Sequence, residues 1–467
     1  MMIDSDILFP SDRKTKKIAQ SLYKITGNLP IVSPHGHCEA SWFSKNESFT
    51  NPSELLIVPD HYIFRMLVSQ GISLESLGIP THDGSSFERD PVKIWKIFAD
   101  HYYLFRGTPT AMWLDYTFKH VFEISEPLNS SNSLTFYNHI LAKLQEPSFK
   151  PRILFDRFNI ETLATTDSAI DDLKNHKFII DSNWNGNIIP TYRPDNIIDP
   201  ETKEFSYNLK LLGEMTKEDI STWKGYLAAH ASRRDFFIKH GAKATDHGHF
   251  TPKTYNLSEE ETSNLYEKIY TGNFSQSDSA IFRGQMITEM AKMSIDDGLV
   301  MQLHTGSKRN HSSLIYNRFG ADKGFDIPTS MDYVTGLKPL LEAVGLSNKI
   351  TIIIFTLDES SYSRELAPLA GVYPALKLGP PWWFFDSFEG MKRFRETTTE
   401  TCGFYNTVGF NDDTRAFCSI PARHDFSRRC DCSYLAHLVT TGRLRINEAE
   451  DLAEDLAYNL CKQTYKI

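Results

Sequence analysis

The segment IVSPHGHC, residues 31–38, carries the pattern that is most informative about the fold and the function of the chain. Two β-branched residues lead into a Ser-Pro break, which is followed by His35, Gly36 and His37. A strand that ends in two histidines around a flexible glycine can direct both imidazoles at one cation. The segment therefore predicts a β-strand whose carboxyl end carries two metal ligands.

Composition and charge exclude several classes of function for the 467-residue chain. The net charge is −9 and no dense Lys/Arg cluster occurs, so we expect no nucleic-acid partner. Residues 1–13 lack the basic start and apolar core of a signal peptide, and the longest apolar run, 350–357, is too short to cross a membrane. Six cysteines without a C-x-x-C pair favour free thiols. We expect a cytoplasmic protein.

Apolar runs and helical segments alternate from residue 159 onward, and a polar cluster follows nearly every run. With the run at Ile31, the predicted strands are 160–165, 187–191, 242–245, 299–303, 350–357, 375–378 and 404–410. Eight strands alternating with helices predict an α/β fold, the (β/α)8 TIM barrel. In this fold the chemistry takes place at the carboxyl ends of the strands, which is where the polar residues fall.

The segment after the first strand has a different pattern. From residue 51 to 150 apolar residues recur at three- and four-residue spacing, with Gly and Pro between the runs and no convincing strand. We predict a helical insertion here. The expected division is an N-terminal helix and first strand at 1–50, the insertion at 51–150, and the remainder of the barrel at 151–467.

The first and last strands of a closed barrel are neighbours, which brings His35 and His37 to Asp413 after the eighth strand. Two imidazoles and one carboxylate suit a divalent ion, most simply Zn²⁺, with Mn²⁺ as an alternative. His247 and His249 have the same spacing and are the rival ligands. Their alternative interpretation is a hydrogen-bonded turn.

Asp60, His61 and Tyr62 lie at the start of a predicted helix in the insertion. They are candidates for reaching over the barrel mouth, where His61 or Tyr62 would act as a general acid or base, and simple helix capping is the alternative. Arg193 and Arg415 follow two strands. Their guanidinium groups suit an anionic substrate, and ion pairs with nearby aspartates are the alternative.

His304 directly follows the predicted strand 299–303 and is either a packed core residue or a functional one. The aromatic run 380–386, which contains Trp383, is suited to stacking on a sugar ring, and plain packing is its alternative. Asp167 and Ser168 are interpreted as caps of the helix that follows them. The chain has no phosphate-binding glycine motif and no G-x-S-x-G sequence, so neither a nucleotide cofactor nor serine acyl transfer is indicated.

A larger set of motifs occurs in order along nearly the whole chain. It comprises His35-Gly36-His37, Pro59-Asp60-His61-Tyr62 with Arg65, Thr165-Thr166-Asp167 with Asp171-Asp172-Leu173, Arg193-Pro194-Asp195, Asp246-His247-Gly248, Met301-Gln302-Leu303-His304-Thr305-Gly306, Gly324-Phe325-Asp326, Trp382-Trp383-Phe384, Asp413-Thr414-Arg415 and Arg423-His424-Asp425-Phe426 with Arg428-Arg429. This set resembles the uronate isomerases (glucuronate isomerases) of the amidohydrolase-like metal-dependent barrels.

The resemblance implies interconversion of D-glucuronate with D-fructuronate and of D-galacturonate with D-tagaturonate. It implies one divalent ion on His35, His37 and Asp413, with the Asp-His-Tyr segment and both arginines on the substrate. Two positions depart from the family pattern: Ser33 stands where an acidic residue is common, and Asp412 precedes the ligand where threonine is common. Of the two adjacent aspartates, we expect Asp413 to be the ligand. A homo-oligomer is also expected.

The hypothesis for the reaction is proton transfer through an enediol. Asp413, or a metal-bound hydroxide beside it, would take the C2 proton, and Tyr62 or His61 would move the protons on O1 and O2. A metal-dependent hydrolase on the same scaffold is the main alternative, although residues 358–359 after the sixth strand include no histidine. A sugar-acid binding protein without catalysis is a third.

Overall fold

The structure, a computed structural model, describes residues 6–467 of the chain. The strands are β1 (Ile31–Ser33), β2 (Ile160–Ala164), β3 (Asp167–Ser168), β4 (Asn187–Ile189), β5 (Tyr192–Arg193), β6 (Ala244–His247), β7 (Val300–Thr305), β8 (Ser307–Lys308), β9 (Ile327–Pro328), β10 (Ile352–Thr356) and β11 (Leu376–Leu378).

The helices before residue 200 are α1 (Arg13–Thr26), α2 (Ala40–Lys45), α3 (Pro52–Leu56), α4 (His61–Val68), α5 (Pro91–Asp100), α6 (Pro109–Tyr116), α7 (Ser133–Leu144), α8 (Pro151–Arg157), α9 (Lys174–Ile180) and α10 (Asp195–Ile198). Those after it are α11 (Phe205–Thr216), α12 (Trp223–Lys239), α13 (Glu259–Thr271), α14 (Gln276–Asp297), α15 (Ser313–Phe319), α16 (Tyr333–Val344), α17 (Ala367–Ala370), α18 (Phe388–Cys402), α19 (Ile420–Thr440), α20 (Ile446–Glu454) and α21 (Leu460–Tyr465).

The parallel strands follow one another around the barrel in chain order. β1 pairs with β2, and β2 with β4. β3 and β5 continue these last two strands after short breaks and pair with each other, and the sheet then runs on through β6, β7, β10 and β11. Across the breaks, the N–H of Thr165 donates to the carbonyl of Ile189, and that of Asp167 to Thr191. The parallel order expected of a (β/α)8 barrel is confirmed for seven strand positions.

The eighth position is less regular than predicted. The run 404–410 makes one bridge, between Thr407 and Leu378, and in the part of the chain described here no ladder joins it to β1. Gly409 has a φ of +78°, which a β-strand cannot accommodate, so the ladder cannot extend through it. The two ends of the barrel nevertheless meet, because the N–H of His37 donates to the carbonyl of Thr414 over 3.1 Å.

A compact apolar cluster fills the barrel interior. Its members come from the first, fourth, fifth, sixth and eighth strand positions and from the C-terminal helix: Val32, Ala244, Val300, Ile353, Phe355, Val408, Cys461 and Tyr465. The hydroxyl of Tyr465 donates to Oε1 of the buried Gln302 over 2.8 Å. Helix α21 therefore closes the end of the barrel opposite the carboxyl ends of the strands.

The predicted insertion is helical, and its local sequence explains where each helix begins. Asn51, Asp60, Asp90 and Thr108 each accept a hydrogen bond from a backbone N–H of the first turn of α3, α4, α5 and α6. The aromatic side chains of these helices share one apolar cluster with residues of β1, β2 and β4. The insertion is thus anchored on the barrel, and the division of the chain at residues 50 and 150 stays a prediction.

The interpretation of Asp167 and Ser168 as helix caps is wrong. Both belong to β3, and α9 begins only at Lys174, after Leu173 in the left-handed conformation. The side chains of this segment instead form hydrogen bonds across the break between β2 and β3, where the hydroxyl of Thr165 donates to Asp167 over 2.6 Å. Among the described residues, none of the helices has the length and apolar character needed to cross a membrane.

Candidate active site

Two histidines after β1 meet one aspartate from the last loop of the barrel. Nε2 of His35 lies 3.3 Å, and Nε2 of His37 3.1 Å, from Oδ1 of Asp413. Asp413 has a φ of +38°, an uncommon backbone conformation for a residue with a side chain. Burial alone raises the pKa of the Asp413 carboxyl, but the two imidazoles lower it well below its ordinary value. The three predicted ligands are therefore brought together.

The spacing of these three atoms suits one small cation. Ligand atoms at about 2.0–2.2 Å from a tetrahedral Zn²⁺ lie roughly 3.3–3.6 Å from one another. The two distances to Asp413 are within a few tenths of an ångström of that range. The neighbouring Asp412 is directed elsewhere, with Oδ2 2.9 Å from Nε2 of His424. The donor set thus fits a divalent metal ion, and of the two adjacent aspartates Asp413 is the one in position.

His304 lies against this group and is held by a second carboxylate. Its ring packs against both His35, at 4.6 Å between ring centroids, and Phe355, at 4.2 Å. Nδ1 of His304 is 2.6 Å from Oδ1 of Asp246, whereas its buried Nε2 has no hydrogen-bond partner in the described residues. Asp246 also pairs with Nη1 of Arg193 at 3.0 Å. His304 is therefore a packed residue at the site, with one ring nitrogen free.

Both predicted arginines face the cavity, and both are already paired with carboxylates. Arg193 contacts Asp195 through Nε at 2.7 Å in addition to Asp246. Arg415 pairs with Asp322 at 2.7 Å, so its ion-pair partner is not the neighbouring Asp413. An anion that binds Arg415 would therefore compete with Asp322 for the guanidinium group, in an ion pair that is partly exposed. Arg193 is held in place by carboxylates on two sides.

The residues from the insertion reach the mouth of the barrel, as expected. Asp60 caps α4 by accepting the N–H of Tyr62. The hydroxyl of Tyr62 donates to Asp386 over 2.8 Å, and burial together with Asp386 raises the Tyr62 pKa well above its ordinary value. The ring of His61 lies 4.4 Å from Trp383, edge to face, and burial with Arg415 lowers the His61 pKa to about 3.

These residues line one cavity of about 160 Å³. Its walls are His35, His37, Pro59, Asp60, His61, Tyr62, Arg193, Asp246, His304, Arg309, Asp322, Gly324, Asp326, Trp382, Trp383, Asp413, Thr414, Arg415, Ala416 and Arg423. Every site residue predicted from the sequence is among them. His247 and His249 are not, because they group with Asp195 outside the cavity.

Sequence reasoning gave no role to several residues of this wall. Arg423 lies 3.6 Å from the centroid of the Trp113 ring and pairs with Asp386 at 2.9 Å. Arg309 and Asp322 come from the long connection after β7 and had no signal other than their place after a strand end. The cavity therefore presents four arginines in all, counting Arg193 and Arg415.

Comparison with known proteins agrees with this site. A family model described as glucuronate isomerase matches residues 10–465. The chain belongs to the glucuronate isomerase family. A uronate isomerase from Rhizobium meliloti (strain 1021) is 58% identical over 466 residues, which is 100% of this chain and 99% of that protein. The family expected from the sequence motifs is confirmed.

Solved structures support the same assignment. The crystal structure of glucuronate isomerase from Caulobacter crescentus has a TM-score of 0.97 and 52% identity, covering 99% of this chain and 97% of that one. The uronate isomerase from Thermotoga maritima has a TM-score of 0.92 and 26% identity, with both chains covered completely. The expectations of the barrel fold and of an aldose–ketose isomerase are confirmed, and the hydrolase alternative has no support.

Proposed function

We propose that the cavity interconverts D-glucuronate with D-fructuronate and D-galacturonate with D-tagaturonate. The observation that carries the proposal is the meeting of His35, His37 and Asp413 at one point in an arginine-lined cavity, in a chain of the glucuronate isomerase family. Two imidazoles and a carboxylate hold one divalent ion, Zn²⁺ first and Mn²⁺ as the alternative. When bound, this ion supplies positive charge that stabilises the oxygen on which negative charge develops.

Arg415 and Arg193 bind the carboxylate of the sugar acid. Arg415 exchanges its partly exposed pair with Asp322 for a charge-assisted contact with the substrate. Arg193 stays in place because Asp195 and Asp246 hold it from two sides. A neutral hexose lacks the group that these side chains recognise, so the site selects sugar acids.

Trp383 and His304 form the walls against which the sugar chain lies. The indole of Trp383 is packed edge to face against His61, which fixes its orientation. The ring of His304 is fixed by its packing against His35 and Phe355. Asp60 serves the site indirectly, since it begins the helix that presents His61 and Tyr62.

Asp413 moves the carbon-bound proton. Its lowered pKa keeps the carboxylate ionised at neutral pH, which is the form that accepts a proton. In the open-chain aldose, Asp413 takes the proton from C2 as Tyr62 donates a proton to O1, and an enediol results. The carboxyl proton of Asp413 exchanges with solvent at the enediol stage. Asp413 then delivers a proton to C1 while His61 accepts the proton of O2, and the ketose is formed.

The protonation states of Tyr62 and His61 suit these roles. The raised pKa of Tyr62 keeps its hydroxyl protonated, and the lowered pKa of His61 keeps its imidazole neutral. The two rings are stacked with centroids 5.2 Å apart. Transfer of a proton from His61 back to Tyr62 restores both groups after each turnover.

The test is formation of ketose from each uronate, followed by NMR, with metal-supplemented and chelator-treated protein. We expect D-fructuronate and D-tagaturonate to appear with the supplemented protein only, and D-glucose to remain unchanged. Absence of both ketoses from metal-loaded protein would contradict the proposal. A homo-oligomer and a cytoplasmic location also stay predictions. The six cysteines, all within the described residues, are free and buried, in keeping with a reducing compartment.

A further inference from the structure

A group of metal-ligand type that shares no residue with the catalytic cavity lies on the far side of Arg193 from His35 and His37. One ligand atom each of Asp195, His247 and His249 lies within 4.8 Å of the other two. We propose that these three residues hold a second divalent cation of the Zn²⁺, Co²⁺ or Ni²⁺ class. The site is separate from the catalytic cavity, and the proposal holds whether or not the reaction proposed above is correct.

The strand β6 explains why two sites lie so close together. Successive side chains of a strand point to opposite faces, so Asp246 and His247 are directed apart. Asp246 points with Ala244 towards the barrel interior and the cavity, where it meets His304. His247 points with Thr245 to the outer face of the barrel, where it meets Asp195 and His249.

His247 has one ring nitrogen held by a hydrogen bond and the other available to a metal ion. Its side chain is completely buried, and its Nε2 lies 3.0 Å from the hydroxyl oxygen of Thr245. The other ring nitrogen, Nδ1, is buried and has no hydrogen-bond partner among the described residues. A partner that fixes one imidazole nitrogen and leaves the other free is typical of histidine ligands. Burial and the neighbouring His249 lower the pKa of His247 to about 3, so that the ring is neutral at pH 7.

His249 completes the pair and borders a recess in the surface. Both of its ring nitrogens are buried and make no hydrogen bond of standard geometry within residues 6–467, with the backbone of Arg283 as a weaker polar neighbour. The side chain also lines a recess formed with Phe250, Lys253 and the first turns of α14. No residue of this recess lines the catalytic cavity, so the two spaces adjoin the proposed site separately.

Gly248 holds the two histidines against Asp195. Its N–H lies 3.1 Å from each carboxylate oxygen of Asp195. A Cβ at this position would lie 2.3 Å from Nη2 of Arg193 and 2.8 Å from Oδ2 of Asp195, so only glycine permits the approach. Two imidazoles and one carboxylate favour a borderline transition-metal ion over Mg²⁺ or Ca²⁺, which prefer oxygen ligands.

The test is the number of Zn²⁺ ions per chain, which requires no turnover. Chelator-stripped protein is dialysed against buffered Zn²⁺, freed of unbound metal, and analysed by elemental mass spectrometry. We expect two ions in the wild-type chain and one in His249→Gln, with one also in His37→Gln because only the first site is lost. His240→Gln, which changes a histidine at the end of α12, is the matched control and should retain two ions.

Asp195→Asn is a second variant at the proposed site and should also bind one ion, with circular dichroism used to verify that each variant is folded. One ion per wild-type chain, or two ions in both His249→Gln and Asp195→Asn, would overturn the second site. Neither result would affect the proposed isomerisation, which is measured separately as ketose formation.

Discussion

Nε2 of His37 lies 3.1 Å from Oδ1 of Asp413, so the end of the first strand and the loop after the eighth strand position meet at one point. No strand ladder joins these two segments within residues 6–467. The contact between their functional side chains is supported instead by the hydrogen bond from His37 to the carbonyl of Thr414. The two proposed metal ligands therefore also help to join the two ends of the barrel.

Asp413→Asn should abolish the proton acceptor. We expect kcat for D-glucuronate to fall by about 10²–10⁴-fold, the usual contribution of a general base. Bound metal should decrease as well, because an amide is a weaker ligand than a carboxylate. Asp412→Asn is the matched control: it loses part of the pair with the buried His424 and should lower the melting temperature while the ion remains bound. Similar kcat values for Asp413→Asn and the wild type would remove Asp413 from the mechanism.

Tyr62→Phe removes the hydroxyl that is proposed to donate a proton to O1. We expect kcat to fall by about 10²-fold or more with a small change in KM, because the ring keeps its packing against Trp113 and Trp383. Tyr102→Phe is the control, since its hydroxyl contacts Asp115 in the insertion and not the cavity. A Tyr62→Phe enzyme whose KM alone changed would indicate that the hydroxyl only binds substrate.

Arg415 and Asp322 should have opposite effects on KM. Arg415→Met loses a charge-assisted contact worth about 1.5–3 kcal/mol, so we expect KM for D-glucuronate to rise about 10–150-fold. Asp322→Asn removes the carboxylate that competes for the same guanidinium, so KM should fall. Steady-state kinetics on both uronates measures these effects. A rise in KM for both variants would mean that the intact pair of Arg415 with Asp322 is needed for substrate binding, and that Asp322 does not compete with the substrate.

Asp167 makes stability depend on pH. Burial raises its pKa to about 7, above the ordinary value of 3.8, so the folded chain binds more protons than the unfolded chain between these values. Ionisation of Asp167 therefore lowers stability as pH rises from about 4 to 7, by at most about 1.4 kcal/mol per pH unit.

Asp167→Asn removes this titration. Its melting temperature relative to the wild type should increase steadily from pH 4 to pH 7. Asp83 is an exposed control of opposite sign, because hydrogen bonds from Ser85 lower its pKa to about 2. The relative melting temperature of Asp83→Asn should increase only as pH falls. A constant difference between Asp167→Asn and the wild type would show that the carboxyl does not titrate in this window.

Much of the fold and the site follows from local sequence pattern. Apolar runs that end in polar residues located seven strand positions of the barrel and placed His35 and His304 on one face. The eighth run was less regular because Gly409 interrupts it. The pairing of Arg415 with Asp322 depends on how the long connection after β7 folds back, which no short-range pattern specifies.

The two-residue alternation of side chains along β6 identifies a cavity residue that the sequence analysis did not select. The His-x-His spacing indicated His247 and His249 as rival metal ligands, whereas the residue of β6 that lines the cavity is Asp246. Ala244 faces the barrel interior, so the two-residue period of a strand places Asp246 on that same face. The alternation was readable in the sequence, but which face was the inner one became clear only from the packing.

The most direct test of the account is the isomerisation of D-glucuronate in D₂O by the metal-loaded enzyme, followed by NMR. Proton transfer through an enediol predicts D-fructuronate with solvent deuterium at C1, and Asp413→Asn should form this product at a greatly reduced rate. D-Fructuronate that retains the substrate hydrogen completely would contradict the enediol route and favour a hydride shift. No ketose and no exchange, with the metal shown to be bound, would contradict the isomerase itself.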